Sequence, residues 1–103
     1  MDLTLFGFRA DFDPNNKILK QEPFIYRGEE YFISTVDLGV DHGYEGIPLY
    51  YETMIFKDDW SDLFCDRYLD KETALKGHEN VLNDIENEDL VLVDGYFEYR
   101  RTE

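Results

Sequence analysis

A single cysteine, Cys65, rules out an internal disulfide and any zinc site built on paired cysteines. No apolar run approaches the roughly 20 residues needed to cross a bilayer, so no membrane partner is expected. Uncharged stretches such as residues 46–51 are far shorter, and Asp2 stands where a secretory leader would carry positive charge. Together these absences lead to the expectation of a reduced, cytoplasmic setting. Neither GxxxxGK[ST] nor GxGxxG occurs, so no glycine-rich phosphate cradle is expected and no cofactor is implied. Bases are scarce as well: ten Lys and Arg stand against 24 Asp and Glu, a formal net charge of −14. Such a field repels phosphate backbones, which argues against direct binding of DNA or RNA, and it speeds the approach of basic partners.

What is present suffices for a folded domain. The 103 residues are 43% hydrophobic and include eight Phe and eight Tyr. That is enough for a modest core in a single domain, residues 1–103, and no repeat or low-complexity linker divides the chain. Aromatic and β-branched runs predict strands at residues 3–8, 17–20, 24–26, 31–38, 49–57 and 63–68. Gly28 serves as a hairpin turn, and Asp94-Gly95 is the strongest hairpin signal in the chain. One helix is predicted from an Asp70 N-cap, with Glu72 in the first turn. Ala74, Leu75, His78, Val81, Leu82 and Ile85 recur at helical spacing and form its apolar face, with Glu72, Glu79 and Glu86 opposite. Gly77 costs about 1 kcal/mol relative to Ala inside a helix, which predicts a close approach to the sheet at that point. The expected architecture is α+β: an antiparallel sheet of five to seven strands with one amphipathic helix packed across it.

Three constellations compete for function. The first is the loop between the central strands, where Asp37, Asp41, His42 and Glu45 crowd among glycines. Hard carboxylate oxygens suit Ca²⁺ or Mg²⁺, but the spacing matches no EF-hand loop, so a polar connection or contact surface is expected and no metal. The second is a chemical site. Cys65, His42 and His78 are the only thiol and imidazoles, and His78 on the apolar helix face reads as a hydrogen-bonded core histidine. Glu52 lies mid-strand beside Met54 and Phe56 and needs a partner if buried, for which Arg67 on the next strand is the candidate. No catalytic residue is assigned. The third is the acidic surface. Residues 58–94 hold twelve acids and three bases, a local net of −9, while the rest of the chain carries −5. Asp58, Asp59, Asp62, Glu72, Glu79, Asp84, Glu86, Glu88 and Asp89 are the candidate partner-binding acids. Trp60 is a candidate anchor, since Trp is enriched at binding hot spots.

Thr35-Val36, Leu38-Gly39, Asp41-His42, Gly46, Pro48, Glu52-Thr53-Met54, Phe56, Cys65, Arg67-Tyr68, Ala74 and Gly77-His78 follow one another in a linked pattern. Across residues 34–82 this pattern resembles a group of small proteins encoded by bacteriophages and prophages. The resemblance implies a phage origin and an accessory role in the host cytoplasm, and brings no activity with it. The leading expectation is therefore a non-enzymatic inhibitor that imitates nucleic acid and blocks a basic site on a host or defence protein such as a nuclease. The alternatives are a small ligand- or metal-binding domain or enzyme, centred on the 37–45 loop with Asp41, His42, Glu52, Arg67 and His78, and a phage structural or assembly component. No oligomeric state follows from the sequence.

Overall fold

The computed structural model describes residue 13 and residues 15–39, 48–58 and 61–100. The strand expected at residues 3–8 lies outside these. In chain order the elements are β1 (Ile18–Tyr26), β2 (Glu29–Asp37), β3 (Tyr51–Phe56), β4 (Asp62–Tyr68), α1 (Lys71–Glu86), β5 (Leu90–Val93) and β6 (Tyr96–Tyr99). β1 to β4 form an antiparallel meander in the order β1-β2-β3-β4, and among the described residues β5 and β6 pair only with each other. The fold is α+β, with one helix against an antiparallel sheet.

Among the described residues the expected sheet of five to seven strands is thus corrected to a four-stranded sheet and a separate two-stranded one. Two physical effects explain the difference. The separate strands expected at residues 17–20 and 24–26 are one continuous strand, β1. Pro23 does not interrupt it, because among the described residues β1 is an edge strand and a missing N–H there breaks no ladder on the outer side. The β5–β6 hairpin joins the fold through side chains instead of ladder bonds. Leu90 and Phe97 are 0% and 4% exposed within the main core, and Tyr99 meets Phe64 of β4 edge-on with ring centroids 6.4 Å apart.

The β1–β2 and β5–β6 turns are two-residue turns with positive φ at each position, Arg27 (49°) with Gly28 (82°) and Asp94 (51°) with Gly95 (88°). That is the twist which matches two right-handed strands. Alternation along the central strands then sets two faces. Tyr31, Ile33 and Thr35 of β2, with Tyr51, Thr53 and Ile55 of β3, point toward α1 and are all buried. Full burial of an aliphatic side chain such as Ile33 or Ile55 contributes about 1.5–3 kcal/mol. Tyr26, Tyr31 and Phe97 form an aromatic cluster with centroids 5.2 to 6.3 Å apart. The other face carries Phe32 stacked on its cross-strand partner Phe56, together with Met54 and Glu52.

α1 begins where Asp70 accepts a hydrogen bond from the Thr73 amide at 2.8 Å, the predicted cap. Its buried side is Ala74, His78, Val81 and Ile85. The predicted close approach occurs at Gly77, where the ring of Tyr68 rests directly over the Cα. The helix ends in a left-handed residue, Glu88 (φ 61°), with Asp89 N–H donating to the Asp84 carbonyl and Glu88 N–H to that of Ile85. This is a Schellman closure with Glu in the position usually held by Gly.

Candidate functional site

The β-meander and the helix bring several of the predicted acids to one end of the sheet. Phe32 pairs with Phe56, so the β1–β2 turn and the residues after β3 share that end. Lys57 bridges to Glu29 there at 3.2 Å. The helix exit joins them, since Arg27 of the turn reaches Glu88 at 4.0 Å. Exposed Glu29, Glu30, Asp58, Asp62, Glu86, Glu88 and Asp89 therefore lie together, with Arg27, Lys57 and Arg100 set among them. Of the remaining predicted acids, Glu72 sits near the far end of the helix, about 21 Å from Glu86 by the helical rise, and pairs with Lys76. Glu79 accepts a hydrogen bond from Lys20. Asp84 accepts one from the Tyr99 hydroxyl at 3.1 Å. Asp59 and Trp60 lie outside the described residues. The helical glutamates consequently do not act as one row: Glu72 and Glu79 are each matched locally, whereas at the helix exit Glu88 is shared by Arg27 and Arg100 and, among the described residues, the acids of that end outnumber the bases seven to three.

Inside the molecule, between sheet and helix, a second constellation surrounds His78, which is 0% exposed. Its Nε2 is 2.9 Å from a Glu22 oxygen and its Nδ1 is 2.8 Å from Thr35 Oγ1. Ionised Glu22 can only accept, so Nε2 carries a proton. In the neutral ring Nδ1 then accepts from the Thr35 hydroxyl, which in turn accepts from Thr53 across the ladder at 2.5 Å. At the solvent end Lys20 donates to Glu79 and lies 3.5 Å from Glu22. A continuous series of polar contacts thus runs from buried Thr53 to the Lys20 ammonium. The hydrogen bond from His78, ahead of the charge of Lys20, holds the Glu22 carboxyl below its ordinary value, against an opposing desolvation. Close by, the buried hydroxyl of Tyr68 has no hydrogen-bond partner among the described residues, and desolvation raises its pKa.

A third cluster occupies the opposite face. The Glu52–Arg67 pair expected from the strand register is present, with Arg67 Nε–H donating to Glu52 at 2.9 Å. Cys65 donates its S–H to the same carboxylate oxygen at 3.3 Å. Cys65 is exposed at the surface, yet desolvation of its sulfur by its neighbours, then the bond to Glu52, pushes the thiol up to about 12. A thiol so shifted is protonated at neutral pH and offers little thiolate for nucleophilic attack.

These placements separate the members of the alternative ligand site. Glu52 and Arg67 lie on one face of the sheet and His78 on the other, beneath the helix. Asp41 and His42, with Glu45, fall outside the described residues; Asp37 accepts a hydrogen bond from the Gly39 amide at 2.9 Å, closing a tight turn. Sequence reasoning found His78 but not its partners. Lys20, Glu22 and Phe24 alternate along β1 across a stretch whose sequence reads as two separate strands, whereas Thr35 and Thr53 read simply as strand residues. Comparison with protein families, with curated proteins and with solved structures gives no match.

Proposed function

We propose that the protein acts by binding and not by catalysis, docking its acidic end onto a basic, phosphate-binding surface of a host or defence protein such as a nuclease. One observation carries this reading: the exposed acids of the β1–β2 turn, the end of β3, the start of β4 and the helix exit converge on a single end. Clustered carboxylates on a rigid frame steer a basic partner into contact and occupy sites meant for phosphates. The chemistry of the candidate reactive side chains supports the same choice. His78 is consumed by hydrogen bonds and Cys65 is held as a neutral thiol, so neither is poised as a nucleophile or base. The resemblance to small phage proteins fits an accessory inhibitor made in a host cytoplasm.

The test is affinity capture from host lysate at low and high salt, followed by competition for the captured protein with a nucleic-acid duplex. The expected result is a basic, nucleic-acid-binding protein held at low salt, released at high salt and displaced by the duplex. Capture that is insensitive to salt and duplex removes the proposal.

A further inference from the structure

We propose that Glu22, His78 and Glu79 bind one divalent transition-metal ion of the zinc class, in competition with the Lys20 ammonium. Their ligand atoms all lie within 4.8 Å of one another. Tetrahedral ligands at the usual zinc distances stand about 3.4 Å apart. The two glutamates, which are 36% and 52% exposed at the side chain, have room to close the difference by rotation. β1 supplies Glu22, while α1 supplies His78 and Glu79 as neighbours, so the ion would clamp the edge strand to the helix.

Three features mark this as more than an acidic cluster. The imidazole is wholly buried and aims Nε2 at the carboxylates. Its far nitrogen is held by Thr35, the kind of outer partner that orients metal-bound histidines. When an ion takes Nε2, the proton must sit on Nδ1 and be donated to Thr35. The Thr35–Thr53 pair allows this, because either hydroxyl can be the donor and the direction of the chain can reverse. A cation also already stands in the place, since Lys20 contacts both Glu79 and Glu22. The Lys20 side chain is 44% exposed and can swing outward. One imidazole with two carboxylates suits Zn²⁺ or Co²⁺, not Mg²⁺, which prefers oxygen ligands and retains its waters.

The test uses the metal-free full chain. Zn²⁺ is followed by titration calorimetry and thermal unfolding, and Co²⁺ by its visible absorption, in the wild type and in K20M, E79Q and H78Q. The expected result is one ion per chain and a Tm raised by roughly 10 °C or more at 100-fold excess over Kd. K20M is expected to bind about tenfold more tightly through loss of its competitor, E79Q to bind more weakly, and Mg²⁺ to have no effect. Because H78Q disturbs a buried network, half-exposed Glu79 and Lys20 carry the decision if it fails to fold. The proposal is overturned by no Zn²⁺ binding in either wild type or K20M, or by binding that E79Q leaves unchanged.

Discussion

Replacing Gly77 with alanine would drive a methyl into the Tyr68 side chain, in overlap with Cε1, Cζ and the hydroxyl oxygen. On an unhindered helix surface the same change stabilises by about 1 kcal/mol, because Ala is the better helix former. Here the ring has no retreat. Tyr68 is 8% exposed and packs in a cluster with Tyr51 and Ala74, so relieving the clash means shifting the ring or lifting the helix. Overpacking of this kind costs about 1–3 kcal/mol, and contacts this short belong in the upper part of that range, about 2–3 kcal/mol. The net expectation is a loss of about 1–2 kcal/mol, or roughly 5–15 °C in Tm for a domain of this size. The assay is urea unfolding followed by circular dichroism on wild type, G77A, Y68A and the double variant. With the ring removed, G77A is expected to recover its intrinsic gain, giving a coupling of about 2–3 kcal/mol across the pair. A G77A protein more stable than wild type by the full propensity term would refute the packing argument.

Other consequences follow from the buried networks. Thr35→Val removes the hydroxyl between His78 and Thr53 at a site without solvent; a loss of about 1–3 kcal/mol in unfolding free energy is expected, and a change within about 0.5 would contradict the network. Cys65 is expected to react with iodoacetamide at mildly alkaline pH more than roughly a hundredfold slower than a small-molecule thiol, and E52Q to accelerate it, because the native thiol is pushed up to about 12. Glu22 titrates below its ordinary value of 4.5 in the folded protein. Its stabilising contribution is therefore complete above the unfolded value and disappears as pH falls through the folded one. Urea midpoints are expected to drop below about pH 4.5, and E22Q to shallow that decline; an E22Q profile parallel to wild type would refute the assignment.

Local chemistry was legible in the sequence, and long-range pairing was not. The Asp70 cap, the Asp94-Gly95 turn, the close approach at Gly77 and the Glu52–Arg67 pair each follow from a few neighbouring residues or from one strand register. The strands expected at residues 17–20 and 24–26 are one strand, because whether polar residues and a proline between them interrupt it depends on an edge position that only the assembled sheet defines. The strand count differed because β5 and β6 spend their apolar side chains on the core instead of extending the ladder, a choice set by the helix exit and by Phe64. His78 meets residues 43 and 56 positions away, and no periodicity in the helix discloses partners on β1 and β2. The acids reveal the same limit: helical spacing groups Glu72, Glu79 and Glu86, but Lys76 and Lys20 neutralise the first two where they stand.

The salt dependence of partner affinity for wild type and for a variant carrying D58N, D62N, E86Q and D89N tests the central claim most directly. A contact made by the acidic end predicts that wild-type affinity for the captured basic protein falls steeply from low to high ionic strength, and that the neutralised variant binds weakly with a shallow slope. Equal affinity and equal slope in the two proteins would contradict it.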